Sequence, residues 1–494
     1  MSELLVGIDI GTSSSKGVLA RPDGEIVATA ERAHELSLPR PGWAEHDAEG
    51  VWWADFTALC GELAEGARGD IAGLCVSGIG PCLLPVDPNG GPLRPAILYG
   101  IDTRASAEIA ELTERLGLDE ILKRCGSPLT SQAVGPKLLW LLRNEPEVWE
   151  RTDRFLMANS FVVERLTGEF VLDHHSASQC DPLYDLAAGA WIDEWAEDIA
   201  PGLRLPRLVW PGEIAGRVTD DGAAATGLRA GTPVAAGTID AWAEAASVGV
   251  RNPGDLMLMY GTTMFLIAVL ADVPVSERLW STAGVFSGTR NLAAGMATSG
   301  ALTAWLRELA GGPSYESLIE GASVVPRGSE GLLVLPYFAG ERTPLFDPDA
   351  RGLICGLTLN HGRGHIYRAL LEATAFGVRH NLEAMEEAGA RIDRIVAVGG
   401  GTKGDLWTQI VTDVTGRPQE IPQQTIGAAY GDAWLAGVAT GLVEPDSDWN
   451  PIASVVRPDP DAAPVYERLY EMYLRLYTST RDISHALAEI QSDG

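Results

Sequence analysis

Only four of the chain's 37 basic residues are lysines (Lys16, Lys123, Lys137 and Lys403), and its six cysteines form no C-x-x-C pair. Cys60, Cys75, Cys82, Cys125, Cys180 and Cys355 follow no framework spacing, which excludes a disulfide scaffold or a cysteine-rich zinc site. They read as reduced, mostly buried thiols of a cytoplasmic protein. No apolar run approaches the ~18–20 residues of a membrane helix. The opening MSELLVGIDIG has no basic segment before its apolar residues, so no signal peptide is expected. Positive charge is scarce overall: 37 Lys plus Arg face 67 Asp plus Glu, a formal net charge of −30. A field of that sign repels phosphate backbones and anionic lipid, which argues against nucleic acid and membrane surfaces as partners. A small-ligand site can still be locally positive.

What is present is ordinary globular composition, 46% hydrophobic and 21% charged. Two or three domains of ~100–200 residues are expected, each able to bury a core. Residues 4–9 (LLVGID) read as strand, Gly11 and the Thr-Ser-Ser-Ser run as a turn, and 17–20 as the returning strand. Arg21-Pro22-Asp23-Gly24 then turns the chain into EIVATA. Residues 49–68 read as an amphipathic helix, 71–80 as a buried strand, and 104–117 and 136–143 as helical. This is an α/β pattern with a mixed sheet. Near residue 250 it restarts: GDLMLMYGTTMFLIAVL (254–270) is again strand, Gly-Thr turn and strand, and 365–440 runs helix, strand, helix. Gly261-Thr262-Thr263 echoes Gly11-Thr12-Ser13, which predicts two related lobes, 1–248 and 249–494. Val465, Leu469, Met472, Leu476, Ile483, Leu487 and Ile490 predict a final amphipathic helix packed on a lobe.

Three segments carry candidate chemistry. Asp9-Ile10-Gly11-Thr12-Ser13-Ser14-Ser15-Lys16 offers close backbone approach, hydroxyl and amide donors and one ammonium, the kit of a phosphate loop. An acid at the end of the first strand is placed to hold Mg²⁺. A polar hairpin turn with Asp9 as a turn residue is the plain alternative. Gly237-Thr238-Ile239-Asp240 follows the strand TPVAAG and sets an acid where it can act as general base on a hydroxyl, or simply cap the next helix. Gly399-Gly400-Gly401-Thr402-Lys403-Gly404 lies between an apolar strand and a helix and satisfies G-x-G-x-x-G, with Glu420 roughly 20 residues on. That spacing admits an NAD-dependent oxidoreductase, although the motif sits late in the chain; a nucleotide held at the helix N-terminus fits equally. No Walker-type motif occurs. His174-His175 with Cys180 and Asp181 lack metal-site spacing and read as loop residues.

In order along the chain, these segments resemble the FGGY family of carbohydrate kinases, within the actin, hexokinase and heat-shock-chaperone ATPase superfamily. The resemblance spans roughly residues 4–445 and rests on DIGTSSSK (9–16), PGWAEHD (41–47), Asp102-Thr103-Arg104 and KLLWLLRN (137–144). It continues through AAGTIDAW (235–242), YGTT (260–263), GERTP (340–344), GLICGL (352–357), HIYRALLE (365–372) and GGGTKGDLWTQIVTDVTG (399–416). It implies two RNase-H-like lobes with ATP, Mg²⁺ and a sugar or polyol in the cleft between them, and a homodimer as a family-level expectation. Asp240 then matches the catalytic base and Asp9 the acid near Mg²⁺. Gly11, Thr12, Ser13 and Lys16 match the first phosphate loop and Thr262 the second. Gly300, Gly401, Thr402 and Asp405 match nucleotide-contacting positions, and Gly80, Pro81, Asp102 and Asp240 the substrate positions.

The substrate strand departs from the family. Xylulokinases carry a Gln-Met-His segment where this chain reads Ser77-Gly78-Ile79-Gly80-Pro81-Cys82, and glycerol kinases an Arg-Glu pair. Ala241-Trp242 follows Asp240 where polar residues usually help hold the sugar. The resulting expectation is an ATP-dependent sugar or polyol kinase acting on D-xylulose or a related ketopentose. A catalytically silent sugar or nucleotide sensor with a kinase fold is the third reading, favoured by the depleted strand.

Overall fold

The structure, a computed structural model, describes residues 3–66 and 70–492. Glu3–Ile10 is buried along nearly its whole length, as expected of a strand covered on both faces. It is central in a six-stranded sheet ordered Ile214–Arg217, Pro233–Ala235, Asp70–Gly78, Glu3–Ile10, Ser14–Ala20, Ile26–Ala33. Asp255–Tyr260 holds the same place in a seven-stranded sheet, antiparallel to Met264–Leu270 on one side and parallel to Arg394–Val398 on the other. Five strands of each sheet agree in order, direction and chain sequence, so the two Gly-Thr turns occupy equivalent positions. The sixth, an antiparallel edge strand, comes from different points of the chain: Ile214–Arg217 precedes its neighbour, whereas Ile452–Val456 follows its own. The predicted mixed α/β fold with two lobes is present.

The helices Asp240–Ser247 and Ala428–Thr440 pack on each other between the sheets, inside an apolar cluster that runs from Leu5 and Cys75 to Met257 and Val396. They approach so closely that a Cβ on Gly431 would lie 1.9 Å from the Ala243 carbonyl oxygen. The outer edge of the strand Trp280–Ala283 is paired by side chains of the first half: Ser127 Oγ accepts from Ser281 N at 2.7 Å, and Ser178 Oγ accepts from Ala283 N at 2.9 Å. His175 Nδ1 donates to the Ala283 carbonyl at 2.9 Å, so the free sheet edge is satisfied across the cleft.

Two sequence expectations change. The predicted helix over 49–68 is a π-helical turn, Ala48–Trp53, continued as Ala54–Gly66, with residues 67–68 outside the described part. The C-terminal helix, Ala463–Ser492, packs through Tyr466, Tyr470 and Tyr473, while Val465, Met472, Ile483, Leu487 and Ile490 face solvent. The phenolic hydroxyls decide this: Tyr473 bonds Tyr337 at 2.7 Å and Tyr470 bonds Glu383 at 2.6 Å, giving bulky rings both apolar burial and a polar partner. Of the predicted stripe, Leu469 and Leu476 pack against the same core, so the helix lies on a lobe as expected, with the tyrosines as its most buried contacts. Five of the six cysteines are buried and all are free thiols, with Cys355 exposed. Among the described residues no helix is long and apolar enough to cross a membrane.

Candidate active site between the lobes

The first hairpin closes at the pair Ile10 and Ser15, with Gly11 N donating to Ser14 O at 3.1 Å. His34 braces the turn from behind, its Nε2 3.1 Å from Gly11 O and its Nδ1 2.8 Å from Asp55, which also accepts from Ser15 Oγ. Asp9 ends the strand and points its carboxylate across the sheet, with Ser77 Oγ 3.4 Å away. No local signal announces His34, or Ser77 as a partner of Asp9, because neither adjoins the turn in the chain.

Asp240 reaches the same place from the opposite edge. Gly237 has φ +67°, and a Cβ there would lie 1.8 Å from Val76 O, so only glycine lets this segment run against the strand Asp70–Gly78. Thr238 Oγ1 donates to Asp173 at 2.8 Å and fixes the turn. Ile239 is the N-cap and Asp240 the first residue of its helix, so the carboxylate is not a cap, although it accepts from Ala241 N at 2.7 Å. Burial pushes the Asp240 carboxyl up to about 6. Asp9 is pushed well above the usual range, by burial first and then by the charges of Asp240 and Glu244. Glu244, one turn after Asp240, is raised to about 7 by burial and by Asp240. Lys16 is the cation that opposes these shifts.

These groups line one cavity of about 350 Å³ between the lobes. Of the predicted residues, Asp9, Thr12, Lys16, Gly80 and Asp240 line it. Gly11 and Ser13 lie in the adjoining turn. The second-lobe residues gather around the second turn instead. Gly300 N donates to Gly261 O at 3.0 Å, Ala301 N donates to Thr262 O at 3.1 Å, and a Cβ on Gly300 would lie 2.6 Å from Gly261 O. Gly399 has φ +92° and Gly401 sits against the Tyr260 and Trp407 side chains, which brings the glycine-rich turn beside Tyr260-Gly261-Thr262. Thr402 Oγ1 turns back to Gly399 O at 2.8 Å, and Asp405 is exposed at the start of the helix Asp405–Thr415.

Two substrate expectations need correction. Asp102 does not line the cavity: its buried carboxylate takes Arg104 Nη2 at 2.7 Å and Ala44 N at 2.7 Å. Arg104 also pairs with Glu45 at 2.9 Å and stacks 3.9 Å over Trp43, so the side chains of Glu45, Asp102 and Arg104 tie the segments 41–47 and 102–104 together in a buried structural knot. Pro81 is buried behind Gly80 and absent from the lining. A Cβ on Gly80 would meet Ile239 Cγ1 at 2.7 Å, so the space of a substrate side chain is filled by the residue before Asp240. The acid of the dinucleotide reading is also spoken for, since Glu420 accepts from Arg394 Nε at 2.6 Å.

The cavity contains polar groups to which the sequence assigned no role: Tyr99, Gln132, Gln179, Thr282, Asp181, which reads as a loop residue, and Arg342, which lies in the GERTP segment. Their elements are scattered along the chain, and only the fold assembles them. Lys137, whose Nζ donates to Ser131 O at 2.7 Å, anchors the loop that carries Gln132; burial lowers this ammonium to about 8. Asp432, fully buried on Ala428–Thr440, accepts from Ser77 Oγ at 2.6 Å behind Asp9.

Residues 4–249 match the FGGY family of carbohydrate kinases, N-terminal domain, and residues 256–440 match the C-terminal domain of that family. Xylulose kinase of Bacillus subtilis is 28% identical, over 99% of this chain and 99% of its own. Glycerol kinase 2 of Streptomyces coelicolor is 31% identical, over 96% of each chain. The crystal structure of xylulose kinase from Rhodospirillum rubrum superposes with a TM-score of 0.91 at 34% identity, covering 98% of this chain and 100% of that one. Relatives named for two different acceptors stand at similar identity, so the acceptor has to be read from the cavity itself.

Proposed function

The chain belongs to the FGGY family of carbohydrate kinases, phosphotransferases with an alcohol group as acceptor, and on that premise we propose that it transfers the γ-phosphate of ATP to a hydroxyl of a sugar or polyol, D-xylulose or a related ketopentose first among them. The observation that carries the reading is Asp240: a carboxylate raised to about 6, in a cavity shared with Thr12 and Lys16 of one Gly-Thr hairpin and Thr263 of the other. Such a group is mostly ionised at neutral pH yet basic enough to take a proton from an attacking hydroxyl. Phosphoryl transfer asks mainly for positioning and charge neutralisation. Gly11, Thr12, Ser13 and Lys16 would hold the phosphates from one side and Thr262 from the other. Gly300, Gly401, Thr402 and Asp405 would carry the nucleotide on the second lobe.

Among the described residues no three side chains form a metal cage. Magnesium at a triphosphate needs only one or two carboxylates beside the phosphate oxygens, and Asp9 supplies an oxygen donor of that kind. The donor set also calls for a cation: Asp9, Asp240 and Glu244 crowd one end of the cavity beside Lys16. When bound, Mg²⁺ would neutralise phosphate charge there. Asp9 would hold it, Lys16 would add positive charge, and Asp240 would keep the proton it accepts. The expected setting is the cytoplasm, where the sugar and ATP meet.

The test is substitution. Asp240→Asn should cut turnover by ~10²–10⁴-fold while leaving the ATP dissociation constant nearly unchanged. Lys16→Ala should weaken ATP far more than the sugar. Retained turnover in the first variant, or equal weakening of both ligands in the second, would contradict these roles.

A further inference from the structure

Asp181 and Thr282 both line the cavity, both are more than nine-tenths buried, and each has a side-chain oxygen without a hydrogen-bond partner: Asp181 Oδ1 and Thr282 Oγ1. The indole Nε1 of Trp280, on the same face of the strand as Thr282, is buried and unpartnered as well. An unmade buried hydrogen bond costs roughly 1–3 kcal/mol, so three in one place are a large, localised cost. Groups of this kind are satisfied by something that enters the cavity.

Their placement is specific. Asp181 comes from the first half of the chain and the Trp280–Ala283 strand from the second lobe, clipped together by Ser127, Ser178 and His175. His175 is held neutral, burial lowering it to about 3, with Nδ1 donating to Ala283 O and Nε2 left to accept from Gln179 Nε2 at 2.9 Å. That orients the Gln179 amide, another lining group. The catalytic end is a separate neighbourhood: Asp9, Asp240, Glu244 and Lys16 act on one another, whereas the titratable neighbours of Asp181 are Cys125 and Cys180. A ligand held only at Asp240 leaves the other end unpaired.

We infer that Asp181, Thr282 and the Trp280 indole form a second recognition subsite, built across the lobe interface, that reads the distal hydroxyls of a polyol or sugar chain longer than three carbons. The inference rests on the kinase reading for the identity of the near end. Hydroxyl groups both donate and accept, which matches a hydroxyl, an indole donor and a carboxyl that burial pushes well above its usual range. Phe265, Trp242 and Trp280 supply an apolar wall for the carbon chain.

The experiment is calorimetric titration of the full chain with glycerol, erythritol and xylitol, beside kcat/KM for whichever of them releases ADP. Affinity should rise ~10–100-fold from three to five carbons. Thr282→Val, which keeps the side-chain shape, and Asp181→Ala should each remove most of that gain while leaving glycerol and ATP binding within about twofold. The near-isosteric valine variant answers the question even if the alanine variant folds poorly. Retention of the chain-length gain in Thr282→Val, or no gain from glycerol to xylitol in the unaltered protein, overturns the subsite. A gain that Thr282→Val removes, with no ADP released from any alcohol, supports the subsite and overturns the kinase reading instead.

Discussion

At the scale of single residues, the site sets function against stability. Asp240 titrates at about 6 in the folded protein against 3.8 unfolded, so the native state holds the extra proton between those values. The destabilisation is therefore absent below pH ~4 and fully present above pH ~6, on the order of 1–3 kcal/mol. Asp240→Asn should raise the melting temperature at pH 7 while abolishing turnover, as thermal unfolding beside an ADP assay would read. Activity runs the other way: kcat/KM should fall as the pH drops through about 6 and the base is protonated. Asp102 provides the contrast. Removing its carboxylate strands a buried Arg104, so Asp102→Ala should lose ~3–5 kcal/mol in denaturant unfolding, with KM for the sugar unchanged in whatever protein folds. A changed KM with little lost stability would restore Asp102 to the substrate site.

At the scale of elements, glycines set how closely the second turn and its helix meet. Gly300→Ala would drive a methyl to 2.6 Å from Gly261 O, so the helix Gly300–Leu309 must shift away from Thr262. ATP affinity should fall ~10-fold or more with the sugar constant little changed, measured by nucleotide titration. The two Gly-Thr hairpins were legible in the sequence because an apolar strand, a small-residue turn and a second apolar strand are strictly local signals. So were the strand before Asp240 and the glycine-rich turn at 399–404. The C-terminal helix was legible as a helix packed on a lobe, and Leu469 and Leu476 of its stripe do meet the core; its tyrosines were not legible, since their burial depends on Tyr337 and Glu383, remote in the chain. Asp102 was misread for the same reason: its carboxylate accepts from Ala44 N, and the Arg104 it holds pairs with Glu45, in a loop whose job the sequence left open.

At the scale of the whole molecule, two equivalent sheets face each other across a pair of helices, and the cavity opens where the carboxyl ends of their hairpin strands converge. Neither lobe holds a complete site. The first brings Asp9, Lys16 and Asp240; the second brings Thr263, Thr282 and Arg342. Closure of one lobe on the other around both ligands would exclude water from the phosphate, which suppresses wasteful hydrolysis. With Mg·ATP alone, ADP release should therefore be slow, and an accepted alcohol should stimulate it.

The central claim is tested most directly by ADP release from the purified protein with Mg·ATP across ketopentoses, aldoses, polyols and sugar acids, run in parallel with Asp240→Asn. The account predicts strong stimulation by a neutral five-carbon ketose or polyol and its loss in the variant. ATP binding without stimulation by any alcohol, or stimulation that survives Asp240→Asn, would contradict it.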